Sequence, residues 1–237
     1  MLNNDKCKII TFSRKLCNYV FAYAINNKLL ERVNEIKDLG IVFDSELRFN
    51  SHMDYIIDKS YRVSGFIKRM TRDFHCVAAV RKLFITLVRP ILEYGIIIWF
   101  PFYEVHVTRL ERVQRKMCNF LIFKMGLNKS QYNYDQRLNL TELEALLKRV
   151  LKFKLRFGFK LLHNQIDCPQ LLLLLNFKAP LVNTRNRDIF VCPFRKTNFG
   201  LNSSVVNKIV TAINNLPVNL DIFNCKESTF NFYLRQM

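Results

Sequence analysis

No two aspartates stand side by side anywhere in this sequence. Two-metal nucleotidyl transfer needs acidic ligands gathered closely enough for two ions to hold the attacking and leaving oxygens, and the chain by itself lacks that arrangement. A Gly-rich phosphate loop, a His-Glu-x-x-His pair and a Gly-x-Ser-x-Gly turn are also missing, so P-loop, zinc-protease and hydrolase-elbow chemistry find no footing. The seven cysteines, at 7, 17, 76, 118, 168, 192 and 225, include no Cys-x-x-Cys pair. His75 adjoins Cys76, and His163 and Cys168 stand without a second close pair, so reduced, mostly buried thiols are expected rather than a zinc site. No metal and no cofactor is expected.

A sustained apolar run is lacking too. Leu83 to Tyr103 is about as long as a bilayer, but Arg89, Pro90 and Glu93 interrupt its middle. Each charge there would cost roughly 2.5–3.5 kcal/mol, which argues against a membrane partner. The run Leu171 to Leu175 is far too short to span. The first residues carry Asp5, Lys6, Lys8, Arg14 and Lys15 with no apolar core of a secretory signal. An intracellular protein, cytoplasmic or nuclear, is expected.

What the chain does have is apolar residues and positive charge. Half of its 237 residues are apolar, enough for real cores. Thirty-seven Lys and Arg against nineteen Asp and Glu leave a formal charge of +18. Such an excess favours phosphate-rich partners through counterion release.

From Cys7 to Phe49 the pattern looks extended. Ile9, Ile10 and Phe12, then Tyr19 to Ile25, then Gly40 to Phe43 are apolar runs, and Asn26-Asn27-Lys28 is a turn signal, together predicting a small antiparallel sheet. Ser51 is positioned as an N-cap for a helix over 52–71, where Met53, Ile56, Ile57, Val63, Phe66, Ile67 and Met70 recur at helical spacing. A second helix is expected from Val77 to Leu92, kinked at Pro90, and a third from Val105 to Phe123. The polar stretch from Gly126 to Asn139 reads as a boundary. Thr141-x-x-Glu144 then has the form of a capping box opening a long helix to about His163. Shorter helices are expected over 169–175, 204–215 and 228–234. The fold class is therefore α+β, mainly α, with a small N-terminal sheet, and the units are 1–50, 51–125 and 126–237.

Several segments resemble one family. Leu2-Asn3-x-x-Lys6-Cys7 with Phe12-x-Arg14, and Lys37-Asp38-Leu39-Gly40-Ile41-x-x-Asp44, are similar to the last two palm motifs of the reverse transcriptase of jockey-like non-LTR retrotransposons. Phe49-x-x-His52, Gly65-Phe66-Ile67-x-Arg69, Leu87-Val88-Arg89-Pro90-x-Leu92-Glu93-Tyr94, Trp99-x-Pro101 and Leu110-Glu111-Arg112-Val113-Gln114-Arg115 resemble its thumb and the segment directly after the thumb. Ile166-Asp167-x-Pro169, Thr184-Arg185-Asn186 and Thr197-x-Phe199-Gly200-x-Asn202-Ser203 resemble its helical C-terminal region. The arginine pair usual after Leu-Glu is here Leu146-Leu147, or is shifted to Lys148-Arg149. The resemblance implies a palm remnant, a thumb and a post-thumb region that begin just after the catalytic centre, with palm and fingers left to a longer element. It places Lys6 near an incoming nucleotide and Leu39-Gly40 at a primer grip.

Read from the residues, Arg109, Arg112 and Lys116 recur about a turn apart, opposite Leu110, Val113 and Met117. Arg149, Lys152, Arg156 and Lys160 succeed one another at intervals of three, four and four, with no acid between Ala145 and Gln165 to neutralise them within the helix. Both rows are candidates for tracking phosphates. Phe153, Phe157, Phe159, Tyr94 and Trp99 read first as core residues. The expected function is holding RNA or an RNA/DNA hybrid without polymerising activity of its own. The rival readings are a helical module that pairs with another protein, and a truncated element product with no role.

Overall fold

A computed structural model describes residues 7–14, 21–25, 27–179, 188–217 and 220–237. It is mainly helical, with short strand pairs near the N-terminus. Lys6, Asn26, the run from Tyr19 to Val20 and Thr184-Arg185-Asn186 lie outside the described residues.

The N-terminal strands form three separate pairs rather than one sheet. β1 (Lys8–Ile9) pairs in parallel with β4 (Glu31–Arg32), and Lys8 meets Glu31 at 3.1 Å. β2 (Ala24–Ile25) and β3 (Lys28–Leu29) make an antiparallel hairpin. β5 (Glu35–Asp38) and β6 (Ile41–Asp44) make a second. The parallel β1–β4 pairing departs from the all-antiparallel expectation, which the two hairpins meet. β4 and β5 went unforeseen: Glu31-Arg32 and Glu35-Ile36-Lys37-Asp38 are too charged to show a strand pattern.

Helix α1 (Asn50–Met70) buries Met53, Ile56, Ile57, Ser60, Ser64 and Ile67 along one face. Ser51 is not its cap. The N-cap is Phe49, in the left-handed region, and the Asp44 carboxylate gathers the amides of Glu46, Arg48 and Phe49 just before it. Ser51 instead donates its hydroxyl to Glu35. At the other end the Lys124 ammonium donates to the carbonyls of Thr71 and Phe74, at 2.6 and 3.0 Å, and so ties α5 to the turn that follows α1.

Pro90 divides the second helix as expected. α2 (Val77–Leu87) stops before it and α3 (Arg89–Glu93) starts with it, since proline offers no amide and clashes with the preceding turn. Gly95, at φ 62°, turns the chain into α4 (Ile96–Trp99), and an added Cβ there would meet Ile41 Cδ1 at 2.6 Å. α5 (Glu104–Lys124) packs along α1 and, with α2 to α4, closes a first core around Phe84, Trp99, Leu110 and Met117.

The polar stretch 126–139 holds a 3-10 turn at Lys129–Gln131 and α6 (Tyr134–Leu140), and Leu138 joins the first core. A capping box is present, but at Asn133 and Gln136, whose side chains take each other's amides at 2.8 and 2.9 Å. Thr141, expected to open the next helix, is buried and closes this one. Its hydroxyl donates to Arg137 O at 2.7 Å. α7 (Leu146–Leu162) begins after Ala145 with no side-chain cap of its own. It spans two cores. Leu146 and Val150 belong to the first, and Leu155, Phe159 and Leu161 belong to a second, formed with α8 (Pro169–Leu172), α10 (Val205–Asn214) and α11 (Glu227–Gln236). α9 (Asn198–Ser203), which no periodicity announced, is capped by Thr197.

Gly158 lets α10 approach α7, for a Cβ would lie 2.9 Å from Ile209 Cγ2 and 3.0 Å from Ile213 Cδ1. Gly158→Val should cost about 1–3 kcal/mol in urea unfolding, since overpacking outweighs the few tenths gained in helix propensity. The buried His52 accepts from the Val42 amide at 3.3 Å and lies edge-on to Trp99, at 5.1 Å between ring centres. Burial, then the Lys37 charge, lowers its pKa from 6.5 to about 4. The unfolded chain therefore takes up this proton first. The contribution of neutral His52 is complete above about pH 6.5 and is lost as pH falls toward 4, by at most roughly 3 kcal/mol. His52→Gln should flatten that limb of the stability profile, and an unchanged slope would show that other groups set it.

Candidate nucleic-acid interface

The β5–β6 hairpin turns through Leu39 and Gly40 at φ 45° and 86°, both left-handed, which matches the twist of the flanking strands. Leucine in this region costs roughly 1–2 kcal/mol, and here it is also 83% exposed. Tyr94, read as a core residue, is exposed instead, and its hydroxyl donates to Leu39 O at 2.8 Å. Trp99 is buried, its indole N–H donating to Tyr94 O at 2.7 Å. The strained tip is thus tied to α3 and α4. Beside it, Lys37 sits over the Tyr55 ring at 4.6 Å.

The basic row on α5 divides into different environments. Arg109 pairs with Asp54 of α1 at 2.5 Å, Arg112 is exposed and makes no ion pair among the described residues, and Lys116 lies over Tyr61 at 4.4 Å. Lys116 faces Lys68 of α1, whose ammonium rests 5.4 Å from the Phe120 ring centre. Burial and then the Lys116 charge lower the pKa of Lys68. With Lys129, these side chains line an open groove of about 560 Å³ whose walls include Phe120, Phe123 and Asn128 and no acid. Phe123 is 75% exposed. The sequence reading missed Lys68 and Lys129. They stand 48 and 13 residues from Lys116, and only the α1–α5 packing and the turn after α5 bring the three together.

On α7 the stripe is continuous in spacing but not in environment. Arg149 makes a two-pronged pair with Glu93 of α3, Nη2 to Oε2 at 2.6 Å, and this hydrogen bonding raises its pKa. Lys152 pairs with Glu144, just before the helix. The acids missing from the helix come from outside it, which no count along the helix itself can detect. Arg156 is exposed and reaches Asn231 at 3.3 Å. Lys160 is exposed and makes no ion pair among the described residues.

Beneath this surface lies a polar knot. Glu111 accepts from the Leu146 amide at 3.1 Å and from the Tyr134 hydroxyl, so a carboxylate of α5 caps the N-terminus of α7, where the helix dipole favours an anion. Burial, then the Glu111 hydrogen bond, raises the Tyr134 pKa. Gln114 donates to Glu144 O at 2.9 Å, and buried Arg89 donates to Gln114 and to the same carbonyl at 3.2 and 3.0 Å.

Compared with known proteins, the chain is similar to the uncharacterised protein B0403.1 of Caenorhabditis elegans, 25% identical over 146 residues, covering 62% of this chain and 72% of that protein. No family model and no solved structure matches it. No helix among the described residues is long and apolar enough to cross a membrane. Nor do the described residues hold a group of three His, Cys, Asp or Glu gathered as metal ligands.

The division on α7 is testable by stability alone. Arg149→Gln should lose about 2–3 kcal/mol, because it strands a nearly buried Glu93. Arg156→Gln should stay within about 0.5 kcal/mol of the parent. Equal effects in thermal unfolding would mean that the Glu93 pair does not distinguish the two.

Proposed function

We propose that this chain is a nucleic-acid-holding module of the jockey-like reverse-transcriptase kind, gripping RNA or an RNA/DNA hybrid by its phosphates. The observation that carries this reading is the acid-free groove between α1 and α5, which Lys68, Lys116 and Lys129 line together with the exposed Phe123. Lysines crowded without counter-charge release counterions when they meet phosphates, and an exposed aromatic offers a stacking surface to an unpaired base. Arg112, Arg156 and Lys160 supply further exposed cations. The ordered motifs from Lys37 to Ser203 and the net charge of +18 support the same reading. The strained, exposed Leu39 at the hairpin tip fits a segment whose backbone approaches a primer strand. The activity proposed is holding and not polymerisation, because no adjacent aspartates exist to seat two metals. Readout of sequence would be slight, since phosphates carry none.

The test is fluorescence anisotropy of a labelled RNA/DNA hybrid across a salt series. Changing Lys68, Lys116 and Lys129 together to Gln should weaken binding uniformly across sequences and make log K against log salt shallower by about 2–3 units, roughly 0.7–0.9 per lost contact. A variant with the parent's circular dichroism, affinity and salt slope would remove the groove from the interface.

A further inference from the structure

A second concavity lies away from the α1–α5 groove, between the turn before α1, the α4–α5 connection and the start of α10. It encloses about 360 Å³, within the range of small-molecule sites. Its cationic lining is Arg14, Arg48 and Lys208, with His106 beside them, and its flat walls include Phe102, Tyr103 and Phe199.

Lys208 is the unusual member. It is 9% exposed, and its ammonium donates to the carbonyls of Phe100 and Ile98, at 3.0 and 3.3 Å, leaving its third N–H without a partner among the described residues. No carboxylate pairs with it there. A buried charge without a counter-ion is costly, and one that lines a cavity has room to acquire one. Desolvation, then the charge of Lys154, lowers its pKa to about 8, so it remains mostly protonated near neutrality. Arg14 is held for a similar task. Its Nε donates to Glu46 O at 3.0 Å and its guanidinium sits over Phe199, Cζ 3.2 Å from the ring centre, while its terminal nitrogens make no hydrogen bond among the described residues. Glu46, the acid nearby, is engaged by Arg48 at 2.5 Å. The Nδ1 of His106 is buried and has no hydrogen-bond partner among the described residues.

We propose that this pocket binds an organic phosphate monoester carrying a flat ring, its phosphate at Lys208 and Arg14 and its ring among Phe102, Tyr103 and Phe199. The phosphate supplies Lys208 with its missing counter-ion and can accept from both Arg14 nitrogens. The aromatic walls account for the ring. The site is independent of the hybrid-binding groove. The same chemistry is offered by a free mononucleotide and by the 5′-terminal nucleotide of an RNA strand.

The experiment is calorimetric titration of the full chain with AMP, beside adenosine and inorganic phosphate. Saturable one-site binding of AMP is expected, with each fragment at least about tenfold weaker. Lys208→Met should lower AMP affinity at least about tenfold. Methionine suits a buried position, and if this variant fails to fold, Arg14→Gln and Phe199→Ala serve in its place with the same loss expected. The variant lacking Lys68, Lys116 and Lys129 should bind AMP as the parent does, so failure of the groove reading and failure of this one are distinguishable. Competition by a 5′-phosphorylated RNA but not by its 5′-hydroxyl twin would identify a strand end as the source, and no competition by either would identify a free nucleotide. Absence of saturable AMP binding by the folded parent, phosphate binding as tightly as AMP, or affinity indifferent to all the pocket substitutions would each overturn the proposal.

Discussion

The Glu111 carboxylate joins α5, α6 and α7 at one point: it takes the first amide of α7, the hydroxyl of Tyr134 and an amide hydrogen of Gln114. Beside it, Arg89 reaches across from α3 to Gln114 and to the Glu144 carbonyl. Without Glu111 the Leu146 amide would begin α7 unpaired, at a cost of roughly 1–3 kcal/mol for a buried group. The knot fixes where α7 starts and in which direction it leaves the first core. That direction carries Leu155, Phe159 and Leu161 into the second core, against α10 and α11. The relation between the two cores therefore depends on a few buried polar groups more than on any one apolar contact.

The same knot sorts the cations. Glu93 and Glu144, held near Arg89, draw Arg149 and Lys152 inward, so half of a stripe that looks uniform on a helical wheel becomes structural. Lys124 is likewise occupied with carbonyls of the turn after α1. Other cations stay unpaired among the described residues: Lys68, Lys116 and Lys129 line one groove, and Arg112, Arg156 and Lys160 are among those exposed elsewhere on the surface. An excess of +18 is thus not a uniform coating. One unpaired group of it lies where two long helices run side by side and Phe123 stands open to solvent.

How much of this was legible in the chain depends on the range of the interaction concerned. Apolar spacing within α1 and α5, the break at Pro90 and the Leu39-Gly40 turn are written locally, because a helix face or a tight turn is set by residues a few positions apart. The misplaced caps show the limit of that reasoning. Ser51 and Thr141-x-x-Glu144 have the right local form, yet Glu35 and Arg137 O engage those hydroxyls, while Asp44 gathers the amides before α1 and Glu111 caps the start of α7 from another helix. A capping pattern says which residue is able to cap; the competing partner is chosen by packing. Asn133 and Gln136 did form the box, eight residues before the expected one.

By itself, then, the sequence determined a mainly helical chain with a short extended N-terminal segment, its principal helix faces and its strong positive charge, all of which come from local periodicity and composition. The tertiary structure alone decided which of those charges are paired and which are free. Ion pairs such as Arg149 with Glu93, 56 residues away, and groups of like charge such as Lys68 with Lys116, 48 residues away, are made by the packing of helices. Coulombic attraction and desolvation act through space, over a few ångströms, and separation along the chain does not encode that distance.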